Sequence, residues 1–457
     1  MLHTKPDGQG EMEVVYIEHL VPQDHLLRKV QKYIDFRFIV DKVRHLYSPD
    51  NGRPSLDPVV LFKMLFIGYL FGVRSERRLV QEIKVNVAYR WFLGLKLTDE
   101  VPSAAVIWVN RRRRWKDTTV CQEIFDEIVR QAVLHGMVDG KVLYTDSTHI
   151  KANANKKKFL LRAVPQSTKH YLAELELAVE QDRADRGKKA LRVRREVAPK
   201  TREIKVSTTD PDSGYLVREG KPECFAYSEH RTVDGRYSII TDVHVTPGNV
   251  HDSLPYTERI ARQQETFGFA VEKVALDSGY LTAYNAHWLD TQDIFAAIAH
   301  RRFHPVKGLL PKSKFQYDEH LDLYHCPGNS TLTYRTTNRE GYREYKSDPA
   351  VCRSCLLRPI CTRSKAAVKT ITRHVWEESR ERLRERRLSP EGRDLYKYRK
   401  ETIERSFADA KELHGLRYAR MRGRHKVQEQ CLLTAAAQNI KKIATILDRR
   451  AKRALIA

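Results

Sequence analysis

Residues 141–156, KVLYTDSTHIKANANK, open with an apolar, β-prone run that ends at Asp146, and residues 271–281, VEKVALDSGYL, repeat the pattern and end at Asp277. Both runs read as strands with an aspartate where the strand stops. Residues 401–415, ETIERSFADAKELHG, read as a helix carrying Glu404, with Lys411 on a later turn. Strands fix the direction of the carboxylates they carry, and a helix packed on their sheet can add a third. Hard divalent cations take oxygen ligands, and two of them roughly 3.5–4 Å apart stabilise both oxygens of a phosphodiester displacement. The three acids therefore point to a two-metal phosphotransferase acting on nucleic acid.

The charge balance agrees. The 457 residues include 82 Lys and Arg against 58 Asp and Glu, a formal net charge of +24. Such an excess favours nucleic acid over an anionic membrane, because each neutralised phosphate releases condensed counterions; the bland alternative is a solvated basic surface. The most apolar stretch, 59–71, is too short to span a bilayer and contains Lys63, so it reads as a buried helix. The first residues lack the basic and then apolar pattern of a secretory leader, and seven cysteines suit a reducing compartment. The expected location is the cytoplasm, in association with the nucleoid and with no membrane partner.

Residues from about 20 to 118 read as helical. Asp24 is a candidate cap for a helix with Leu26, Leu27, Val30 and Ile34 on one face, Asp57-Pro58 starts another, and Ser75 and Ser103 are candidate caps. The last of these helices ends in Arg111, Arg112, Arg113 and Arg114. A helical unit over 1–135 ending this way is a reasonable DNA-binding domain, although basic residues also complement a helix C-terminus. Beyond it the pattern turns to strands, with 224–249 reading as two strands around Asp234-Gly235. An α/β catalytic unit is thus expected over 136–302 and 376–457. It is interrupted by two insertions. Residues 150–206 hold 16 Lys and Arg against 7 Asp and Glu, and read as an exposed, partly helical arm or an irregular solvated segment. Residues 303–375 hold Cys326, Cys352, Cys355 and Cys361. Four thiolates from two loops would satisfy a tetrahedral Zn²⁺ and close a small zinc-ribbon-like unit; the alternative is ordinary reduced cysteines. From Ser389 a long helix should run to about His414, with Lys397, Lys400, Glu404 and Lys411 on one face.

In order along the chain, LYTDSTHIKANANK, FAYSEHRTVDGRYSIITDVHVTPGNVHDS, ALDSGYLT and ETIERSFADAKELHGLRYARMRG resemble the core motifs of the DDE transposases of bacterial insertion sequences. The run GRPSLDPVVLFKMLFIGYLFGVRSERRLVQEI resembles the helical N-terminal domain of some members. The resemblance implies an RNase H-like core, a mixed five-stranded sheet with helices, preceded by an all-α DNA-binding domain. It assigns Asp146, Asp277 and Glu404 to the triad that holds two Mg²⁺, with Mn²⁺ as substitute. Lys411 matches a basic residue seven positions after the glutamate that contacts the transposon end. The family's arginine four residues before the glutamate is replaced by Lys400, and its tyrosine seven before is Lys397, with Tyr396 and Tyr398 beside it.

The implied activity is metal-dependent cleavage at terminal inverted repeats and strand transfer of the freed 3′-hydroxyl into target DNA. It would be carried out on double-stranded DNA by a homodimer that joins two ends. Two rivals share the fold: a stand-alone nuclease, and an inactive DNA-binding derivative, against which three carboxylates beside phosphates argue. His149 could touch phosphate or pack beside its strand. His244, His251 and Asp252 read as shaping the turn around Pro247-Gly248-Asn249, and Trp376 and Tyr280 as core rather than base-stacking residues.

Overall fold

The computed structural model describes residues 12–48, 50–51, 55–165, 171–192, 201–218, 220–300 and 306–456. The N-terminal part is helical, and two of its starts follow the chemistry expected of them. Asp57 accepts the Val59 N–H at 2.8 Å, with Pro58 in the first turn, and Ser75 accepts from Arg78 at 3.4 Å. Two caps differ from expectation. His25, not Asp24, caps the Leu26–Tyr33 helix through its ring nitrogen, and the Ser103 side chain makes no cap bond. The apolar helix Pro58–Leu70 is buried over most of its surface, and no described helix is long and apolar enough to cross a membrane.

Eight strands follow: β1 (Val142–Lys151), β2 (Phe159–Pro165), β3 (Thr201–Ser207), β4 (Gly214–Arg218), β5 (Lys221–Asp234), β6 (Ile240–Pro247), β7 (Lys273–Leu276) and β8 (Phe295–Ile298). Six of them form one mixed sheet in the order β4-β5-β1-β7-β8, with β6 also paired to β5. β5 runs antiparallel to β1 and β6, whereas β7 and β8 run parallel to β1. The expectation that β1 stops at Asp146 is corrected. The strand continues to Lys151 because β5 pairs with it throughout, from Leu143↔Asp234 to Lys151↔Ala226. What stops at Asp146 is the parallel neighbour, whose last paired residues are Thr145↔Leu276.

The long C-terminal helix Arg424–Ile456 packs on β6 and on the helices Leu26–Tyr33, Pro58–Leu70 and Val120–Leu134. One continuous core therefore runs from Leu27 through the sheet to Ile443. On that helix Asn439 accepts the Ile240 N–H at 2.9 Å and donates to the Ile240 carbonyl at 2.7 Å. Gln428 does the same for Val245 N–H (2.7 Å) and the Val243 carbonyl (2.9 Å). Side-chain amides thus seal an edge strand that would otherwise offer unpaired backbone groups.

The two insertions meet. Strands β9 (Gln316–Asp318), β10 (Leu323–His325), β11 (Thr331–Thr337), β12 (Tyr342–Ser347) and β13 (Thr370–His374) form an antiparallel sheet around Phe315, Tyr324, Leu332, Tyr345 and Ile371. The basic insertion carries the two-stranded ribbon β2–β3 and a helix, Leu172–Asp185. That helix is not a free arm. Leu175 and Val179 are buried with Tyr284 and Trp376, Asp182 accepts from Thr337 at 2.5 Å and Arg343 at 2.7 Å, and Arg183 donates to the Thr337 carbonyl at 2.7 Å. Periodicity alone missed this because its apolar positions match Tyr284 and Trp376, far along the chain, rather than a neighbouring turn.

Candidate active site

Asp146 sits in mid-strand at the point where its parallel neighbour ends, so Asp277, the residue after Leu276, comes next to it across the sheet. Each aspartate accepts the N–H of the following serine, at 2.8 and 2.6 Å respectively. Burial pushes the Asp146 carboxyl up to about 6; Arg399 opposes the rise, and the nearby charges of Asp277 and Asp252 add to it.

The third acid arrives on a helix of unusual winding. The expected single helix from Ser389 to His414 is three segments: Pro390–Arg399, a π-helical turn Lys400–Glu404, and Arg405–Glu412. A π-turn bonds residues five apart and inserts one residue into an α-helix, often at functional sites. Here it places Arg399 and Glu404 on one side. Arg399 Nη1 donates to Glu404 Oε1 at 3.1 Å and its Nη2 lies 2.6 Å from Asp146 Oδ2. The guanidinium is 5% exposed, and the Tyr396 ring centroid lies 5.8 Å from it. Lys397 and Lys400 are exposed, and it is Arg399, next to Lys400, that meets Glu404. The sequence did hold a signal for this. The tyrosine and the arginine sought before Glu404 are both displaced by one residue in the same direction, to Tyr396 and Arg399.

Lys411 Nζ donates to Thr148 Oγ1 at 2.5 Å, two residues along β1 from Asp146 and on the same face. The helix that carries Lys411 is held at its far end by close backbone contact. Gly72, at φ +67°, brings the end of Pro58–Leu70 so near that a Cβ there would stand 2.6 Å from the Leu413 carbonyl oxygen, and His414 Nδ1 meets the Tyr69 carbonyl at 2.7 Å. Beneath the site the fully buried Arg231, paired in register with Asp146, bonds Glu229 (2.6 Å), Ser406 Oγ (2.7 Å) and Gln438 (3.0 Å). It fastens the Glu404 helix to the sheet. His149 is held neutral, down to about 4, first by burial and then by Arg218, and its Nε2 lies 3.4 Å from Ser228 Oγ. Tyr280 and Trp376 are buried, Trp376 stacked on His287 with ring centroids 4.7 Å apart.

The four arginines ending the helix Ala104–Arg113 and its cap divide. Arg111 is buried in ion pairs with Glu76 and Glu429, which join the N-terminal helices to the C-terminal one. Arg114 lies over the Tyr47 ring at 4.3 Å and donates to Asn110. Arg112 and Arg113 face solvent. In the second insertion Cys326, Cys352, Cys355 and Cys361 are free thiols lining one cavity of about 20 Å³.

Two family models match the chain: the Transposase domain (DUF772) over residues 15–113, and the Transposase DDE domain over residues 325–444, which includes Arg399, Glu404 and Lys411. The chain is a DDE transposase. A search of curated proteins gives no match. Among solved structures, the transposase is similar at 9% identity and a TM-score of 0.33 to the piggyBac transposase in a synaptic complex with hairpin DNA, over 93% of this chain and 77% of that one.

Proposed function

We propose that this transposase binds the terminal inverted repeats of its insertion sequence, cleaves at their ends and joins the freed 3′-hydroxyl to target DNA, with Asp146, Asp277 and Glu404 as the catalytic carboxylates. The observation that carries this is the meeting of Asp146 and Asp277 where β7 ends, with Glu404 brought in through Arg399. The strand order β6-β5-β1-β7-β8, three antiparallel and then two parallel to the first, supports an RNase H-like reading of the core.

Carboxylate oxygens suit Mg²⁺, or Mn²⁺ in its place, and Arg399 is a cation already favoured between two of them. Among the described residues no group of three His, Cys, Asp or Glu side chains is gathered to hold one ion. Mg²⁺ rarely needs such a cage, since one or two carboxylates and the substrate phosphate usually suffice. Bound there, divalent ions would stabilise charge on the phosphorus in flight and on its attacking and leaving oxygens. Asp146, fixed by two strands, orients the centre, and Lys411 offers an ammonium group to phosphate along the same strand face. Arg112 and Arg113 face outward where a DNA backbone could lie. Such a reaction joins two ends, so two copies acting together on DNA in the cytoplasm form part of the proposal.

The test uses purified protein, Mg²⁺ and duplexes carrying the flanking inverted repeats. End-dependent cleavage with joined products is the expected result. Hydrolysis with no preference for the ends would instead identify a nuclease.

We also read the four cysteines as a structural Zn²⁺ site, whose thiols would close in on the ion when it binds, since they are not gathered as they stand. The Gly328 N–H donates to Cys326 Sγ at 3.2 Å, and a Cβ on Gly328 would lie 3.5 Å from that sulfur and 3.4 Å from Cys355 Sγ, so the loop itself draws two thiols together. The five-residue core of this sheet is small for its five strands. The purified chain should contain one zinc per molecule by elemental analysis. Its removal by chelation should lower the melting temperature and expose the insertion to protease. A chain without zinc and with unchanged melting after chelation refutes the site.

A further inference from the structure

A fourth carboxylate stands beside the loop that follows Asp277. Asp252 lies in the loop after β6, and close backbone packing sets that loop in place. Gly248 donates its N–H to the Ala226 carbonyl at 2.9 Å, and a Cβ there would stand 2.8 Å from that oxygen. A Cβ on Gly214 would stand 2.3 Å from Asn249 Oδ1. Asn285, 1% exposed, donates from one amide nitrogen to the Ser253 carbonyl (3.3 Å) and to the Tyr280 carbonyl (3.0 Å). That single side chain staples the Asp252 loop to the loop that follows Asp277. The two acids are therefore held in fixed relation, although they are far apart in sequence.

The environment of Asp252 is unlike that of the other buried acids nearby. Glu229 is paired with Arg231, and Asp242 with Arg259 and Arg262. The Asp252 side chain is 25% exposed, and among the described residues its oxygens have no arginine or lysine partner and accept no hydrogen bond. His230 Nδ1 lies 3.8 Å from its Oδ1. His230 is 4% exposed, its Nε2 is bonded to Thr246 Oγ1 at 2.9 Å, and its Nδ1 has no hydrogen-bond partner. On the other side, Oδ2 lies 3.9 Å from where a Cβ on Gly279 would stand, two residues past Asp277. A carboxylate with no cationic side chain paired to it, held beside the loop that follows Asp277, is a position that a shared cation would stabilise.

We propose that Asp252 is a further ligand of the divalent-cation centre, supplied by a rigid loop and oriented by His230, so that the cations are shared among four carboxylates. The inference rests on the metal-dependent reading above. With four acids available, each of two ions can draw on two carboxylates and leave its remaining positions to phosphate and water. His230 Nδ1–H, with Nε2 accepting from Thr246, would hold the carboxylate in place as outer partners of metal ligands commonly do.

The test is Mn²⁺ binding by the full-length protein, followed by electron paramagnetic resonance without DNA and compared between wild type and Asp252→Asn. Asparagine keeps the shape and removes the charge. One Mn²⁺ should bind about 10–100-fold more weakly in the variant. Thermal unfolding in EDTA should be unchanged or slightly raised, because a like charge is gone; this shows that the variant folds. Equal Mn²⁺ binding by the two proteins, including none by either, overturns the inference. Mg²⁺-dependent cleavage by the wild type then decides what else falls. If it is present, only the role of Asp252 is lost; if it is absent, the metal-dependent reading is lost with it.

Discussion

Glu404→Gln is expected to lower end cleavage on the order of 10³-fold or more while leaving the fold intact. Glutamine has nearly the same volume and can still accept a hydrogen bond from Arg399, so the π-turn and the contact at 3.1 Å have no steric reason to change. The Glu404 side chain is 49% exposed, so loss of its ion pair costs little stability. What disappears is the negative charge that a divalent cation requires, and the chemical step should carry the loss. Single-turnover cleavage of an inverted-repeat duplex, with binding of the same duplex measured separately, checks this. Binding within a few-fold of wild type together with nearly abolished cleavage is the expected pair of results. A variant that cleaves at the wild-type rate removes Glu404 from the chemistry.

Arg231→Ala should destabilise the protein by roughly 3–5 kcal/mol, since it leaves a buried carboxylate without its partner. Both Arg231 and Glu229 are 0% exposed, and burial already drives the Glu229 carboxyl upward against the pull of Arg231. The truncation also strips Ser406 and Gln438 of their donor and leaves a cavity against the Phe407 ring, which the guanidinium covers at 4.7 Å. Urea unfolding measures the loss. A second variant, Arg231→Met with Glu229→Leu, should recover most of the stability, because a volume-matched apolar pair carries no desolvation penalty. It should not recover activity in full, because the bond from Arg231 on β5 to Ser406 on the Glu404 helix is gone. A destabilisation under about 1 kcal/mol for the alanine variant would show that the charge pair is not what holds that helix.

The transposase character of the chain was legible because four motifs occur in sequential order, and the two strands carrying Asp146 and Asp277 could be read from β-prone runs alone. Their adjacency could not, since it depends on β7 ending one residue before Asp277 while β1 runs on, which is a property of pairing and not of either strand. Arg399 was missed for a similar reason. Ideal winding puts Arg399 off the face of Glu404, and the trace the π-turn leaves in the sequence is the one-residue displacement of Tyr396 and Arg399. Asp252 looked like turn chemistry because its neighbours are Pro247, Gly248 and Asn249. Those residues do shape the turn, and the turn sets the Asp252 carboxylate beside Gly279, two residues past Asp277. Arg111 read as a free cation at a helix end, yet its partners Glu76 and Glu429 come from segments that no local pattern connects.

The surplus residue in the Lys400–Glu404 turn makes that segment the one stretch between Pro390 and Glu412 able to absorb a deletion. Removing one residue there lets ordinary 3.6-residue winding resume, and Phe407 and Lys411 keep their facing toward the sheet. The same deletion elsewhere in the segment would rotate every later side chain by about 100°. Length variation among close relatives should therefore be tolerated at this turn and selected against on either side of it.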